Sequence, residues 1–443
     1  MPLPTGARQV ERPDSDVQES VIMKPTSTCF RLLRRSRWLG MLAVVAAPSA
    51  QAVNQEIRAL FTPDSANPQR NLFVNKTPVS GYCADYPSEC RDNETFSIRL
   101  PMRFESASPM QPNASPRNSA MFSIPARWRP LMVTNRETGE TETVEVRIAG
   151  FGSRYILSDT AVNLTGAATP IEGHRVLWGG PGGGWVNAAP PCTYSGVGMY
   201  SDNYYRFFWK TPVQGTCVKT ASFPIPAMTY DYLDFSYELK TPNPLTMSSG
   251  LYTGDVSYRI GPGGDFDMGD VMLPSDPDLT LNFVLDVQHT LKVDIPPGGE
   301  KINLVPAGGW QAWLQTGRKP VRLFRDQTFN ISASSRFKMY MECPSWNAVT
   351  CLLKDAEGRR QVIMDVSVSL PNGLTNLAGE PVKRQRLRVG PMGAEIFQPG
   401  FYVDRAPGVL HFEVAKEEVD YMLQTSVASP YSGSVTVIWD SEV

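Results

Sequence analysis

Histidine and charge are both scarce in this sequence of 443 residues. Its three histidines, His174, His289 and His411, form no HxxH or HExxH pattern, so the sequence gives no positive sign of a metal site. Charged residues make up 19% and aromatics 10%, which excludes a disordered chain, because such chains are rich in charge and poor in aromatics. The net charge is -2 and no basic block lies beyond the N-terminal segment, so nucleic acid is not an expected partner.

Motifs for nucleotide binding and hydrolysis are missing as well. The glycine-rich residues 179–184 lack the Lys-Ser/Thr pair that follows in phosphate-binding loops, and no GxSxG nucleophile elbow occurs. Asp265, Asp267 and Asp270 cluster after glycines, but the bidentate glutamate of an EF-hand loop is absent, which favours a solvated turn over a calcium site. We therefore expect no cofactor, no metal and no enzymatic activity.

The N-terminal segment carries the first specific signal. Four arginines between positions 31 and 37 precede a short apolar run over residues 38–47, and Ala50-Gln-Ala52 supplies a small-x-small cleavage site. The run is shorter than the roughly 20 residues that cross a bilayer. The pattern predicts an export signal over residues 1–52, with its natural start at Met23, and a mature chain that begins at Val53.

Six cysteines remain in the predicted mature chain, and an even number in an exported protein indicates disulfides. Six cysteines allow 15 connectivities, and proximity in sequence favours three local pairs. No pair has CxxC spacing, so a zinc site or a thioredoxin-like centre has little support. The favoured pairs are Cys83–Cys90, Cys192–Cys217 and Cys343–Cys351.

Short runs of alternating apolar and polar residues dominate the mature chain. Clear examples cover residues 143–148, 279–285, 361–370 and 434–439, and Gly- and Pro-rich turns separate them. Period-two alternation with many β-branched and aromatic residues predicts an all-β protein made of sandwiches or barrels. The final alternating run reaches the last residue, so one strand edge needs a cover, and strand addition by another polypeptide is a physically sensible one.

Residues 204–210 read Tyr-Tyr-Arg-Phe-Phe-Trp-Lys and form the best candidate for ligand contact. Aromatic rings beside a cation can stack on sugar faces and bond their hydroxyl groups, although the same alternation also suits an ordinary strand. The candidate receptor-binding residues are Tyr204, Arg206 and Trp185, and we expect them on an exposed face together with the 179–184 loop. A glycoside hydrolase would need two carboxylates at a set distance in space, which a sequence cannot show.

The order, lengths and termini of these segments resemble the two-domain minor subunits and tip adhesins of alternate chaperone–usher fimbriae, of the CblD/CooD/CfaE type. The best-matching parts are residues 279–296, Gly308-Gly309, residues 431–437 and the segment from Ser80 to Cys90. The resemblance implies two immunoglobulin-like β-sandwiches in tandem. It places an adhesin domain at 53–285, a linker at 286–288 and a pilin domain lacking its last strand at 289–443.

The resemblance implies a non-enzymatic fimbrial tip subunit that initiates pilus assembly and binds a host glycan or glycoprotein. Its expected partners are a periplasmic chaperone, an outer-membrane usher, the major pilin subunit as strand donor, and a host receptor. Export through the periplasm would leave it outside the cell at the fimbrium tip. A purely structural initiator without receptor binding and a secreted β-sandwich hydrolase are the alternatives.

Two sets of site residues follow from the resemblance. An open groove would lie along the last strand, where Val435, Val437, Trp439 and Val443, or else the alternate face of that strand, would meet a donor or chaperone strand. The adjacent arginines that serve the receptor surface in colonisation-factor adhesins fall near Pro262 and Gly263 here, with Arg259 as the closest cation. That receptor site therefore does not carry over directly, and Arg259 joins the candidates only by position.

Overall fold

The computed structural model describes residues 53–180, 182–424 and 429–441. The predicted export signal at 1–52 lies outside these residues. The described residues all belong to one unit, Ala50–Val443, yet they enclose two large clusters of buried apolar side chains and a third, small one around Tyr82 and Phe208. None of the described helices has the length and apolar character needed to cross a bilayer. The fold is all-β, as the alternating runs predict.

The first core lies within residues 53–287. A curled 13-stranded sheet and the two-stranded pair β5·β10 enclose it. The strands are β1 Val53–Phe61, β2 Val74–Asn75, β3 Phe96–Leu100, β4 Phe104–Ser106, β5 Ala120–Ser123, β6 Arg129–Asn135, β7 Thr141–Leu157, β8 Thr193–Tyr200, β9 Tyr204–Lys210, β10 Thr216–Lys219, β11 Met228–Tyr230, β12 Leu233–Lys240, β13 Gly250–Arg259, β14 Met272–Pro274 and β15 Asp278–Val287.

One long strand joins the layers of this first sheet. Over its 17 residues β7 pairs with β6, β9, β11 and β12, so the layers form one continuous curled sheet. Gly152 makes the close approach of β7 to β9 possible, because a Cβ there would lie 2.3 Å from the carbonyl oxygen of Phe207. The register between β7 and β12 also shifts at Ser236/Tyr237, a bulge that increases the local bend.

The second core lies within residues 291–441, between a seven-stranded and a four-stranded sheet. The four-stranded sheet runs in the order β21-β23-β18-β26, and the outer edge of β26 pairs with no other described strand. The strands are β16 Leu291–Asp294, β17 Leu323–Ala333, β18 Phe337–Glu342, β19 Cys351–Asp355, β20 Gln361–Ser369, β21 Leu374–Asn376, β22 Gln385–Arg386, β23 Glu395–Pro399, β24 Val403–Val414, β25 Tyr431–Ser432 and β26 Thr436–Ser441.

Six short helices and three 3₁₀ turns connect the strands in the described residues. The helices are α1 Tyr82–Asp85, α2 Pro87–Asp92, α3 Ala161–Thr165, α4 Pro170–Leu177, α5 Gly309–Thr316 and α6 Lys416–Met422. The 3₁₀ turns are Pro116–Asn118, Pro244–Thr246 and Pro391–Gly393.

The chain passes from the first core to the second through His289. Strand β15 runs to Val287 and pairs in parallel with β1 to its end, so two of the three residues in the predicted linker are strand residues. His289 Nε2 lies 2.9 Å from the Met247 carbonyl oxygen and Nδ1 lies 3.1 Å from Ser334 Oγ. This half-buried histidine therefore bonds residues on both sides of the passage, and desolvation lowers its pKa.

Candidate functional site

A groove of about 920 Å³ runs along β26 in the second region. The last strand forms one wall of the groove, the segment from Ile295 to Val305 contributes to its lining, and apolar side chains of β24 line it from within. The residues in it include Ile302, Leu304, Trp310, Leu410, Phe412, Tyr431, Val435, Val437 and Trp439. Its shape and apolar lining suit an extended peptide with apolar side chains on alternate positions.

Strand β26 has an inner face that the surrounding second region does not cover completely. Every described residue in β26 after Thr436 is half-buried, whereas its partner β18 buries Phe337, Met339 and Met341 fully. The ring of Trp439 packs edge-on against Phe329 at a centroid distance of 5.5 Å, but the side chain is not enclosed. The last strand is therefore both unpaired along one edge and only partly packed.

Three of the four predicted groove residues line this groove: Val435, Val437 and Trp439. The fourth, Val443, lies outside the described residues. Sequence reasoning missed the lining residues Ile302 and Leu304, which lie in the segment before β17. Their alternation in Lys-Ile-Asn-Leu-Val was visible in the sequence, but nothing there shows which distant strand they face.

The first region presents a second candidate surface around Arg206 on β9. Arg206 is paired with Asp85, and this hydrogen bond raises its pKa even though burial, the largest influence, lowers it. Arg99 lies 3.1 Å from Asp234 and stacks 4.4 Å from the Tyr232 ring centroid.

Arg154 completes this surface. It pairs with Asp231 and lies 5.3 Å from the ring centroid of Tyr204. We call Arg99, Arg154, Arg206, Tyr204 and Tyr232 the arginine–tyrosine surface. Each arginine has a carboxylate partner, so the surface offers aromatic rings and hydrogen-bonding groups without a net positive charge.

Two of the predicted receptor residues do not join this surface. The expectation of an exposed Trp185 is wrong: its exposure is 0%, because it packs against Phe207, Trp209 and four other aromatic side chains. Arg259 is exposed, but it lies at the end of β13, which pairs with β6 and β15 and not with β9. Tyr204 and Arg206 are two residues apart on β9 and share one face of the strand.

A buried lysine, Lys219, anchors the glycine-rich loop that precedes Trp185. Lys219 Nζ donates to the carbonyl oxygens of Gly182 and Gly184 at 3.1 and 3.3 Å. Burial lowers the pKa of Lys219 to about 8. Lys219 thus fixes the end of the loop next to Trp185 to the aromatic core, whereas Gly179 at the other end is exposed.

The three local disulfides predicted from proximity are present, with Cα–Cα distances of 5.5, 5.9 and 5.9 Å for Cys83–Cys90, Cys192–Cys217 and Cys343–Cys351. These distances fall within the usual range for disulfides. The first two close loops in the first region, and the third closes a loop beside β19 in the second.

The acidic loop at 265–270 is occupied by arginines. Arg117 bonds Asp267 at 2.9 Å and Asp270 at 2.6 Å, and Arg129 lies 3.7 Å from Asp265. No group of three or more possible metal ligands occurs among the described residues. The carboxylates fix a turn through ion pairs with a neighbouring segment, and the calcium alternative gains no support.

In the second region, Ser369, His411 and Asp326 are connected by hydrogen bonds in the same way as the serine, histidine and aspartate of a hydrolytic triad. His411 Nε2 lies 2.9 Å from Ser369 Oγ, and His411 Nδ1 lies 2.7 Å from Asp326 Oδ1. However, Ser369 Oγ also accepts the backbone N–H of Arg384 at 3.0 Å, so a lone pair that a nucleophile would use is engaged in a hydrogen bond. The three residues lie on neighbouring strands of one sheet and tie β17, β24 and β20 together.

No family model and no curated protein matches the sequence. The solved structures that match include CfaE, the adhesive subunit of CFA/I fimbria of enterotoxigenic Escherichia coli, with 12% identity, a TM-score of 0.25, and coverage of 89% of this chain and 94% of that one. A chaperone–tip adhesin complex of CFA/I fimbriae biogenesis matches at 10% identity and a TM-score of 0.24, covering 88% of this chain and 97% of that one.

A third match is the CsuC–CsuE chaperone–tip adhesion subunit complex from the archaic chaperone–usher Csu pili of Acinetobacter baumannii. It has 9% identity and a TM-score of 0.18, and it covers 88% of this chain and 98% of that one. At TM-scores this low the likeness does not decide function, which has to rest on the groove and on the surface residues of this chain.

Proposed function

We propose that this protein is a pilus subunit of the chaperone–usher type that is completed by a strand from a partner and carries an adhesive domain at the fimbrium tip. The observation that carries the proposal is the apolar groove beside the unpaired edge of β26. The resemblance in sequence order and termini agrees with it. In this role the protein binds and assembles, and it catalyses no reaction.

Strand addition solves a specific physical problem in the second region. The free edge of β26 exposes backbone N–H and C=O groups, which makes an uncovered strand prone to pairing with other chains. A partner strand would bond this edge and place alternate apolar side chains against Leu410, Phe412 and Trp439. A periplasmic chaperone would supply that strand first, and the next subunit would replace it at the outer-membrane usher.

The first strand fits a subunit that receives a strand without giving one. Residues 53–61 pair with β15 along their whole length, so the predicted start of the mature chain lies within the sheet. This segment is not available for donation to another subunit. The arrangement supports a tip position over a position within the shaft.

The test is to compare residues 53–443 alone with the same chain carrying a donor strand fused after Val443 through a flexible linker. The strand alternates valine and threonine, and in the matched control its inward valines are replaced by aspartate. We expect the valine strand to raise the melting temperature of the second region by about 10 °C, since burying several apolar side chains contributes a few kcal/mol. Equal melting temperatures for the two fusions would contradict the proposal.

We further propose that the arginine–tyrosine surface of the first region contacts the receptor, a glycan or glycoprotein. Tyr204 and Tyr232 offer ring faces, and Arg206 offers donors beside them, which is the chemistry that sugar rings and hydroxyls require. A neutral surface of this kind favours hydroxyl-rich sugars over highly charged polymers.

Glycan binding by residues 53–443, stabilised by the fused strand, tests this second step. Arg206→Ala should reduce binding at least tenfold, while Arg259→Ala on the distant strand β13 serves as the control and should leave binding unchanged. The reverse pattern would move the site to Arg259. Absence of glycan binding by the folded protein would favour the purely structural initiator.

A further inference from the structure

Helix α5 lies in a loop whose two ends are fastened to each other. Val305 and Phe324 form an antiparallel bridge, with N···O distances of 3.2 and 3.0 Å in the two directions. The residues between them, 306–323, leave this bridge and return to it, and they carry α5, Gly309–Thr316, on the way. We call residues 306–323 the flap, because it is closed at its base by that bridge.

Beyond its base the flap has few ties to the rest of the second region. Each hydrogen bond that the structure describes for residues 307–321 joins two residues of the flap, such as Thr316 Oγ1 with the Ala312 carbonyl oxygen at 2.6 Å. Gly308 and Gly317 flank α5 with φ values of 75° and 68°. Glycine has access to both signs of φ, so the helix can turn about either of its ends.

Helix α5 buries none of its residues, although one face of it is apolar. Trp310, Trp313 and Leu314 have the i, i+3, i+4 spacing that places side chains on one helix face, and the two tryptophan rings lie 6.0 Å apart. Leu314 is 74% exposed and Trp310 is 39% exposed. We call these three residues the α5 stripe. An apolar face of this kind on a loosely held helix is typical of a surface that meets a partner.

The groove identifies that partner, because the α5 stripe begins in it. Trp310 is one of the residues that line the groove. Leu314 lies one helical turn further along α5, about 6 Å along the helix axis. A small rotation of α5 about its flanking glycines would therefore bring Leu314 over an occupant of the groove. Because Leu314 is already exposed, nothing has to be removed before an occupant can reach it.

We propose that the flap closes over the strand that enters the groove, and that Trp313 and Leu314 then pack against this strand. The inference rests on the proposed function and adds a second contact surface to it. It also specifies the partner further, since the strand must present an apolar side chain to α5 in addition to those that point into the groove.

Hydrogen exchange followed by mass spectrometry measures closure of the flap. Three forms are compared: residues 53–443 alone, the same chain with the valine–threonine strand fused after Val443, and the matched fusion with aspartate at the inward positions. We expect the amides of residues 309–316 to exchange roughly tenfold more slowly in the valine fusion than in the other two forms, because a covered helix opens less often.

A substitution in the α5 stripe gives an independent measurement. Leu314→Ser should leave the melting temperature of the chain alone and of the aspartate fusion nearly unchanged, because the side chain is exposed there. In the valine fusion it should lower the melting temperature of the second region by about 3 °C. Leu377→Ser is the matched control and should have no effect in any form, since this leucine is 57% exposed and lies outside the groove lining.

Two results would overturn the inference and leave the proposed function intact. One is equal exchange of residues 309–316 in the two fusions although the valine strand raises the melting temperature, and the other is the same loss from Leu314→Ser with and without the strand. A dimer of the strand-free chain that Leu314→Ser dissociates would assign the α5 stripe to a second copy and would also overturn it. If the valine strand gives no stabilisation over the aspartate control, the groove assignment itself fails and the inference fails with it.

Discussion

The two regions of the molecule close their cores in different ways. In the first, Trp185, Trp209 and Tyr155 are completely buried, and β7 connects the layers into one curled sheet. In the second, the last strand is half-buried on its inner face, and a groove of about 920 Å³ lies beside it. The first region has an aromatic centre closed by its own strands, whereas the second has an open groove beside its last strand.

The first region is stabilised by its own core, whereas the proposed assembly takes place through the second region. A complete core lets the first region hold surface loops and charged pairs in place without a partner. Under the proposed strand addition, the groove gives the second region burial that would become available only on binding, so partner association and folding would be coupled there. The comparison predicts that deleting a large aromatic side chain lowers the free energy of unfolding more in the first region than in the second. A bound donor strand should make the two losses similar.

The largest expected effect comes from deleting an aromatic side chain in each region. Trp185→Ala should lower the free energy of unfolding of the first region by about 4 kcal/mol, because the residue is fully enclosed by other aromatic rings. Trp439→Ala should lower that of the second region by only about 1 kcal/mol, because its side chain is half-buried. Chemical denaturation of residues 53–443 measures both.

With the donor strand fused after Val443, the cost of Trp439→Ala should rise towards that of a core residue. The transition that the donor strand moves identifies the second region, and Trp185→Ala should be insensitive to the donor. Without the donor strand, Trp439→Ala should lower the free energy of unfolding less than Trp185→Ala does. Equal losses would mean that the two cores do not differ in how far they are closed.

Alternation in sequence predicts strands well in both regions, but it does not predict how strands combine. The run at 143–148 lies within β7, yet β7 continues to Leu157, because Gly150 and Gly152 let two other strands approach closely. The run at 434–439 overlaps the last strand from Thr436 onward, and Val435, Val437 and Trp439 line the groove. Local pattern predicted the strand, whereas the groove beside it was expected from the family resemblance and is lined by distant residues as well.

The rest of the candidate sites depends on contacts between distant residues. Arg206 meets Asp85, 121 positions away in sequence, and no local pattern indicates that pairing. Trp185 has the composition of a ligand-binding aromatic but lies in the core, because sequence does not reveal which aromatic residues cluster. Helix α4, Pro170–Leu177, was also not predicted, although Thr169 caps it and Pro170 suits its first turn.

The second effect in size concerns the disulfides. Cys192–Cys217 closes a separation of 25 residues in the first region, and Cys343–Cys351 closes one of 8 in the second. Loop-closure entropy then predicts losses of about 3.5 and about 2.5 kcal/mol when each pair is replaced by serine. Thermal unfolding of each variant should show the loss in its own region's transition.

A shift of both transitions by either serine pair would show that the regions unfold as one unit. Peptide mapping provides the control, since it establishes that the two remaining bridges are intact in each variant. Free thiols at positions 343 and 351 in the unmodified protein would refute the pairing itself.

The smallest effect is a pH dependence confined to the first region. Burial raises the pKa of Asp234 to about 6, against the opposing influence of Arg99. The folded state therefore binds the proton more tightly than the unfolded state, and the free energy of unfolding gains about 1 kcal/mol from this group as the pH falls from 7 to 5. His174 and His289 act in the opposite direction, since burial lowers their pKa values.

The quantity to measure is thus the difference in the free energy of unfolding between the unmodified chain and Asp234→Asn, which keeps an acceptor for the backbone N–H of Tyr82. Denaturation at pH 7 and pH 5 should show the unmodified chain gaining relative to the variant at the lower pH, in the transition that the donor strand leaves unmoved. A difference that is constant with pH would mean that Asp234 has an ordinary pKa, and that the ion pairs beneath the arginine–tyrosine surface are as solvated as those of the second region.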